Sequence, residues 1–343
     1  MRVLVTGNQG YIGSVLAPRV ASAGHEVVGL DSGLFVGCDL GAPPDPIPTL
    51  RRDVRDVDVT DLEGFDAVIH LAALSNDPLG NLAPEHTWAI NHAASVRLAQ
   101  VAREAGVKSF LYASSCSVYG VADDGATVDE EAPMRPATPY AASKVKVEDD
   151  LHELADGDFS PVYLRNATVY GYSPRLRADI VLNNLVGTAY LDHEVRVLSD
   201  GTPWRPLVHV SDVADAFLAV LEADRSAVHD RAFNVGSEEG NYRIRDLAEV
   251  AGEVTGAPVA ILGSHDPDAR SYRVSFARLE QAVPHFRCAW NARSGAGELA
   301  DAYREYGLTR AQFEQRFTRL ARIGQLQREG RVGADLRPTP SAA

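Results

Sequence analysis

A glycine-rich segment directly after the first apolar run constrains the fold more than any other feature of the chain. Residues 2–6, Arg-Val-Leu-Val-Thr, predict a strand, and Gly7, Gly10 and Gly13 follow at intervals of three residues, just before an apolar stretch that suits a helix. Glycine lets the backbone turn tightly and approach a pyrophosphate, while the start of the helix offers unpaired N–H groups to the anion. This order of elements predicts a dinucleotide site; an ordinary tight turn is the alternative.

Short apolar runs alternate with helix-length amphipathic stretches through the first half of the chain, which is the pattern of βαβ units around a parallel sheet. The alternation weakens after about residue 168, although the runs at 207–210 and 232–235 are expected to return to the sheet. We therefore predict an α/β fold in which 1–168 plus 202–236 form the dinucleotide-binding domain and 169–201 plus 237–330 form a smaller domain. Residues 331–343, rich in Gly, Pro, Ser and Ala, are expected to be a flexible tail.

Charge and cysteine content exclude several classes of function. The formal net charge is -14 with no compensating basic block, which argues against nucleic acid or an anionic membrane as a partner. Cys38, Cys116 and Cys288 are odd in number and far apart, and they match neither a disulfide framework nor a CxxC metal site. His193 and His209 have no metal-ligand spacing, so no metal is predicted. No stretch approaches the ~20 apolar residues of a membrane span. A cytoplasmic location is expected.

An acidic residue follows the second predicted strand. Asp31 lies eighteen residues after Gly13, close to the usual interval to a carboxylate that binds the adenosine ribose hydroxyls. It would repel a 2′-phosphate, and residues 32–35 supply no arginine to bind one, so we predict NAD rather than NADP. Arg51 and Arg52 would reverse this preference if they folded back.

Asp53-Val54 follows the third predicted strand. This position suits a carboxylate beside the adenine amino group. A capping or surface aspartate is an equally good interpretation of the spacing.

A tyrosine and a lysine four residues apart suggest a general base. The chain has three lysines against thirty arginines, and Lys144 ends the segment Tyr140-Ala141-Ala142-Ser143-Lys144, twenty-five residues after Ser115. On a helix, positions i and i+4 share one face, so the ammonium would lie beside the phenol and stabilise its phenolate. A solvated helix face is the alternative.

Taken together, these segments resemble the extended short-chain dehydrogenase/reductase family, and within it the nucleotide-sugar epimerases and dehydratases. The resemblance covers about residues 1 to 290. It is carried by Thr6-Gly7-x-x-Gly10-x-x-Gly13, Asp31, Asp53-Val54, His70-Leu71-Ala72-Ala73, Asn91, Ser114-Ser115-Cys116-Ser117-Val118-Tyr119-Gly120, Tyr140-x-x-x-Lys144 and Asp200-Gly201-Thr202-Pro203-Trp204-Arg205.

The resemblance implies a Rossmann-type doubly wound parallel sheet that holds NAD and a smaller α/β domain that closes over a nucleoside-diphosphate sugar. Ser115 would hydrogen-bond the reacting sugar oxygen, Tyr140 would be the base, and Lys144 would also hold the nicotinamide ribose. Asn91 would brace the central helix or simply pack in the core. The implied cofactor-binding residues are Gly7, Gly10, Tyr11, Ile12, Gly13, Asp31, Asp53, Val54, Leu71, Ala72, Ala73, Tyr140 and Lys144.

On the substrate side, the resemblance implicates Ser75, Ser115, Thr168, Arg205 and Arg270. The two arginines would bind the substrate diphosphate through their planar guanidinium groups. Thr168 stands where the family usually has a substrate-binding asparagine. Arg175 and Arg177 follow it and face either the sugar or solvent. A homodimer through helices around 92–105 and 139–155 is expected.

The function implied is NAD-dependent epimerisation of a nucleoside-diphosphate sugar through a 4-keto intermediate, with C4 as the favoured centre. The family's hexose 4,6-dehydratases carry an Asp-Glu pair where this chain has Cys116 and Ser117. Cys116 is a tentative catalytic acid/base for epimerisation at C5, or at C3 and C5; a buried structural cysteine is the alternative. A reductase, a dehydratase and a non-catalytic NAD sensor are the remaining hypotheses.

Overall fold

A seven-stranded parallel sheet organises the computed structural model, which describes residues 1–75, 84–120, 126–263 and 271–339. Its strands run in the order β11-β7-β5-β4-β1-β2-β3, and every neighbouring pair is parallel. The strand bounds are β1 Arg2–Thr6, β2 Glu26–Asp31, β3 Thr49–Arg51, β4 Ala67–His70, β5 Ser109–Ser115, β6 Thr127–Val128, β7 Ser160–Asn166, β8 Thr168–Tyr170, β9 Val195–Val197, β10 Trp204–His209, β11 Arg231–Val235, β12 Asn241–Arg243, β13 Val259–Ile261 and β14 Arg273–Val274.

Helices cover both faces of this sheet, which confirms the predicted doubly wound α/β fold. On one face, Gly13–Ser22 and Val210–Leu221 bury their apolar residues against the strands; on the other face, Ala94–Glu104 and Pro139–His152 do so. A third apolar core is formed mainly by Val181–Asp192, Ile244–Thr255 and Ala292–Glu305. The remaining helices are Pro84–Thr87, Arg225–Val228, Ala277–Ala282 and Arg319–Arg328, with π-helical turns at Trp88–Ala93 and Gln312–Arg316 and 3₁₀ turns at Val54–Asp56, Val59–Asp61, Cys116–Tyr119 and Glu238–Gly240.

One expected return to the main sheet is wrong. The run at 232–235 forms β11 at the sheet edge as predicted, but 207–210 falls in β10 and the helix that follows it. Strand β10 pairs with β8 and β12 in a separate three-stranded sheet. A short apolar run predicts a strand but does not specify its partner, and here β11 takes the place beside β7. The domain division therefore stays a proposal.

The expected flexible tail is also wrong for residues 331–339. Val332 and Leu336 are buried in a small apolar cluster with Leu74 from the sheet domain. Arg337 forms an ion pair with Asp56, and the Arg55 guanidinium donates to the Asp335 carbonyl at 2.9 Å. Average composition concealed the two apolar side chains that anchor the segment; residues 340–343 lie outside the described residues.

Candidate active site

A cavity of about 630 Å³ opens at the carboxyl ends of the central strands, around the point between β1 and β4 where the strand order reverses. Ligands of doubly wound folds bind at this position, and the volume suits a small-molecule site. Of the predicted site residues, the cavity is lined by Gly7, Gly10, Tyr11, Ile12, Gly13, Asp31, Asp53, Val54, Leu71, Ala72, Ala73, Ser75, Ser115, Tyr140, Lys144, Thr168 and Arg205. Cys116 does not line it, and Arg270 lies outside the described residues.

The glycine turn packs so closely against neighbouring backbone that side chains are excluded at two of its positions. Gly7 has a φ of 72°, and a Cβ added there would lie 2.9 Å from the Ala72 nitrogen. A Cβ at Gly13 would lie 2.2 Å from the Gly7 carbonyl oxygen. The helix Gly13–Ser22 begins without a side-chain cap, so no side chain satisfies the N–H groups of its first turn. Together these features fit an anion at the helix start.

Asp31 is held in place by backbone donors. Gln9 N–H donates to its carboxylate at 3.1 Å and Gly33 N–H donates at 2.7 Å. Burial raises the pKa of Asp31, and these hydrogen bonds oppose part of the rise. The Arg51 guanidinium covers Gly33, because a Cβ on that glycine would lie 2.2 Å from Arg51 Nη1. The carboxylate suits ribose hydroxyls, with one arginine close by.

Asp53 lies at the cavity wall and also caps the turn Val54–Asp56. Its carboxylate accepts from Arg55 N–H at 2.9 Å and from the Arg55 guanidinium at 2.6 Å. Burial alone would raise the pKa of Asp53, but the Arg55 hydrogen bonds hold it below its usual value. The capping interpretation therefore describes this residue, and a contact with adenine is a proposal.

The helix Pro139–His152 places a tyrosine and a lysine at the cavity. Thr138 Oγ1 accepts from Ala141 N–H at 3.2 Å, which satisfies an N–H of the first turn, and proline stands at the first helical position. Tyr140 and Lys144, one turn apart, both line the cavity. Lys144 Nζ donates to the Ala113 carbonyl at 2.7 Å and lies 5.7 Å from the centroid of the Tyr140 ring.

Lys144 is an unusual lysine because its side chain is buried. It is 4% exposed, and its Nζ also lies 4.7 Å from the centroid of the Tyr112 ring. Burial lowers the pKa of Lys144 to about 7, against a smaller opposing effect of Glu148. The charged ammonium therefore lies next to the phenol of Tyr140 in acid solution, and the lysine titrates near neutrality.

The turn Cys116–Tyr119 separates two hydroxyls from the thiol. Ser115 Oγ accepts from Ser117 N–H at 3.1 Å, and both serines line the cavity. Cys116 is fully buried on the other side, where its Sγ donates to the Arg165 carbonyl at 3.1 Å. Burial also raises the pKa of this thiol. The tentative acid/base assignment of Cys116 therefore loses its geometric basis, and the structural alternative is favoured.

Two further arginines approach the cavity from different elements. Arg205, on β10, is almost fully buried and donates to the Trp204 carbonyl at 2.9 Å. Arg177 donates to Ser75 Oγ at 3.0 Å and forms an ion pair with Asp179 at 2.9 Å. Arg177 is buried at the cavity wall, so the solvent-facing alternative does not apply to it, and a contact with the sugar stays a prediction.

Asn91 lies in the core and fixes the cavity wall from behind. Its Oδ1 accepts from Leu74 N–H at 2.8 Å and its Nδ2 donates to the Leu74 carbonyl at 3.0 Å. The buried packing role therefore describes Asn91, and its side chain braces the segment that follows β4 rather than a helix.

A family model described as the NAD dependent epimerase/dehydratase family matches residues 3–236, more than half of the chain. The chain belongs to that family. The UDP-glucose 4-epimerase of Mycolicibacterium smegmatis is 35% identical over 271 residues, which cover 75% of this chain and 84% of that enzyme. The solved structure of MoeE5 in complex with UDP-glucuronic acid and NAD has a TM-score of 0.77 and 29% identity, covering 89% of this chain and 99% of MoeE5.

Another solved structure, of the NAD-dependent NDP-hexosamine 5,6-dehydratase TunA, has a TM-score of 0.78 and 26% identity. It covers 89% of this chain and 98% of TunA. Structures this similar to the chain therefore include an enzyme named a dehydratase, so the fold alone does not identify the reaction. The predicted resemblance to the nucleotide-sugar group is confirmed at the level of the family.

NAD is the cofactor of this epimerase/dehydratase family, which confirms the prediction of NAD. The residues present fit it, since the helix after the glycine turn starts without a side-chain cap at the cavity, Asp31 suits the ribose, and Lys144 lines the same cavity. Among the described residues, no helix is long and apolar enough to cross a membrane. In the same part of the chain, no group of three or more His, Cys, Asp and Glu side chains is placed to hold a metal ion.

Sequence reasoning missed several residues of the site. Ser117 Oγ and Asn166 Oδ1 line the cavity and have no hydrogen-bond partner within the described residues. Asn166 ends β7 just before Thr168, so its place at the carboxyl edge of the sheet was open to prediction. Arg319 and Leu336 also line the cavity, and they come from a C-terminal segment for which no local pattern signals a site.

Proposed function

We propose that this protein is an NAD-dependent epimerase that inverts C4 of a nucleoside-diphosphate hexose through a 4-keto intermediate. The observation that supports this most directly is that Ser115, Tyr140 and Lys144 line the same cavity as the dinucleotide turn. When bound, NAD accepts a hydride from the sugar and returns it, so the reaction has no net redox change.

The side chains divide the proton transfer between them. Tyr140, as phenolate, removes the proton of the C4 hydroxyl, and the Ser115 hydroxyl hydrogen-bonds the same oxygen. Lys144 stabilises the phenolate through its charge, which requires the lysine to be protonated. Acid–base catalysis of this kind contributes about 10² to 10⁴ in rate. On the return step, Tyr140 gives the proton back to the oxygen.

What the enzyme does with the 4-ketose depends on the turn after β5. A ketone at C4 acidifies the hydrogens at C3 and C5, and further chemistry needs a base that reaches them. Ser117 offers a neutral hydroxyl, and the Cys116 thiol is buried on the far side of the turn. The geometry therefore supports return of the hydride to C4 rather than exchange at C3 or C5.

For the substrate, we propose a UDP-hexose, because the relative that is 35% identical is named a UDP-glucose 4-epimerase. Arg205 is the proposed ligand of the substrate diphosphate, since it is a buried guanidinium at the cavity wall beside Tyr272. A dehydratase is the second candidate, and the structural similarity to TunA favours it. A homodimer stays a prediction that size-exclusion chromatography with light scattering would test.

The deciding experiment incubates the purified protein with UDP-glucose, UDP-galactose or UDP-glucuronic acid in D₂O and follows the products by NMR. GDP- and dTDP-hexoses test the choice of nucleotide. A C4 epimerase interconverts the two C4 epimers without placing solvent deuterium on carbon. Deuterium at C3 or C5 would contradict the proposal and support epimerisation at those carbons. An unsaturated or deoxy product would support the dehydratase.

A pair of tyrosine variants tests the base. Tyr140→Phe removes the proton acceptor and should abolish turnover while UDP still binds. Tyr190→Phe is the matched control, because Tyr190 lies outside the cavity and packs against Tyr303. Unchanged turnover in Tyr140→Phe would eliminate the assigned base.

A further inference from the structure

Arg319 is a buried guanidinium at the cofactor cavity, contributed by a helix beyond the region that the family model matches. It is the first residue of Arg319–Arg328, whereas the match ends at residue 236. Its side chain lines the cavity and the residue is 2% exposed. A charge this well buried needs a partner, because isolated charges are costly to remove from water.

The partners of Arg319 are incomplete. Nη2 donates to the Arg175 carbonyl at 3.1 Å, and the guanidinium lies 4.3 Å from the centroid of the Phe35 ring. Nη1 has no hydrogen-bond partner, and within the described ranges no carboxylate lies at ion-pair distance. Burial lowers the pKa of Arg319 to about 10, and the charge of Arg177 adds to this effect. The guanidinium is therefore charged at neutral pH.

Among the described residues, the two neighbouring arginines are paired with carboxylates, whereas Arg319 is not. Arg175 pairs with Asp39 at 3.0 Å and Arg177 pairs with Asp179 at 2.9 Å, so each of these guanidinium groups has its own carboxylate. Arg319 adds one more positive charge to the same buried region. Its side chain lies at the cavity wall, where an anion from outside the chain can supply the acceptor that Nη1 lacks within the described residues.

The position of the cluster identifies that anion. Phe35, under the guanidinium of Arg319, follows Asp31 by four residues, and Asp31 is the ribose carboxylate of the dinucleotide site. On the other side, Asn183 Nδ2 donates to the Arg177 carbonyl at 2.9 Å and to Tyr11 Oη at 3.3 Å, so the cluster is linked to a residue of the glycine turn. The diphosphate of a dinucleotide lies between the ribose carboxylate and the glycine turn. Arg205, the proposed ligand of the substrate, is on the separate β10 sheet.

We propose that Arg319 binds the diphosphate of NAD and that the C-terminal segment is therefore part of the cofactor site. The segment is fixed in place to do so, since Ile323, Leu326, Val332 and Leu336 pack against Leu74, and Leu336 itself lines the cavity. A guanidinium suits this role because its planar fork donates to two phosphate oxygens. The inference uses only the NAD of the family and does not require the proposed C4 chemistry.

The test compares Arg319→Met and Arg319→Lys with the matched control Arg322→Met. Arg322 is one turn along the same helix, donates to Gln325 Oε1 at 2.9 Å and does not line the cavity. Protein stripped of cofactor is titrated with NAD by calorimetry, and its melting temperature is measured with and without NAD. Arg319→Met should bind NAD roughly tenfold to a hundredfold more weakly, as expected for the loss of a charge-assisted hydrogen bond. Arg319→Lys should lose less, and Arg322→Met should match the parent.

Two further measurements separate other roles of Arg319. Adenosine, which lacks the diphosphate, should bind the parent and Arg319→Met equally. The stripped Arg319→Met protein should melt no lower than the parent, because it no longer buries an unpaired charge. Unchanged NAD affinity together with a lower melting temperature would show a structural arginine and overturn the inference.

UDP distinguishes the two diphosphates that the cavity would hold. Weaker UDP binding with unchanged NAD binding would assign Arg319 to the substrate and overturn the inference. If Arg319→Met binds NAD more weakly but the parent protein epimerises no UDP-hexose, the proposed function fails. The assignment of Arg319 to the NAD diphosphate would still stand.

Discussion

The buried ammonium of Lys144 should destabilise the fold that it serves. Lysine in an unfolded chain titrates near 10.5, whereas burial lowers the pKa of Lys144 to about 7 in the folded protein. The two values differ by about 3.5, which corresponds to about 5 kcal/mol at ~1.36 kcal/mol for each pKa unit. Lys144→Met removes the charge and keeps the length of the side chain. It also loses the hydrogen bond to the Ala113 carbonyl, worth about 1 kcal/mol.

We therefore expect the free energy of unfolding of stripped Lys144→Met to exceed that of the parent by about 2–4 kcal/mol at pH 6. The difference should depend on pH in one direction. Between pH 7 and pH 10.5 the unfolded parent binds the lysine proton and the folded parent does not, so the parent gains stability as pH rises. The advantage of the variant should shrink by about 2–3 kcal/mol between pH 6 and pH 9.

Urea unfolding of both proteins at pH 6, 7.5 and 9 measures this difference. Lys146→Met is the matched control, because Lys146 lies on the same helix with an exposed side chain that pairs with Asp150. Its effect should be small and nearly independent of pH across this range. A difference between Lys144→Met and the parent that stays constant from pH 6 to pH 9, or grows, would refute the burial argument. Turnover should be lost in Lys144→Met.

Three other residues give sharp expectations. Asp31→Ala should lower the affinity for NAD by roughly tenfold and allow NADP to bind, since Arg51 lies over Gly33 close to the removed carboxylate. Fluorescence titration with NADH and NADPH measures both affinities, and failure to bind NADPH would contradict this prediction. Cys116→Ala should keep turnover within about twofold and lower the free energy of unfolding by about 1 kcal/mol, because the thiol packs in the core away from the cavity. Loss of turnover in this variant would restore the acid/base role of Cys116. Leu336→Asp should lower both the melting temperature and NAD affinity, whereas Leu320→Asp, at an exposed position of the nearby helix, should change neither.

Local sequence patterns predicted the parts of the site whose residues all come from one short segment of the chain. Gly7 to Gly13 form the phosphate turn within a single strand-turn-helix unit, and Tyr140 and Lys144 share a helix face because of their spacing. The turn after β5 was predicted only in part, since Ser115 lines the cavity as expected, whereas Ser117 also lines it and Cys116 lies on the other side.

The remaining parts depend on contacts between segments far apart in the chain. Arg319 reaches a cavity whose first residue, Gly7, is more than three hundred positions away, and nothing adjacent to Arg319 in the sequence signals a ligand. The C-terminal segment was assigned to a tail because its average composition is polar and small, yet Val332 and Leu336 suffice to fix it. Strand β10 was assigned to the wrong sheet because pairing is decided by competition between strands.

Lys144 and Arg319 show a common principle of this cavity. Each is a buried cation that lines the cavity, and in the described part of the chain neither has a carboxylate of its own at ion-pair distance. Both should lower the stability of the stripped protein, and both would gain a partner from the cofactor in the proposed assignments, which are the nicotinamide ribose at Lys144 and the diphosphate at Arg319. Ligand that binds only the folded state adds RT ln(1 + [L]/Kd), or about 4 kcal/mol at a thousandfold excess over Kd. We therefore expect the same two charges that weaken the empty fold to favour retention of NAD, which suits the proposed epimerase, because it would return its hydride in every cycle.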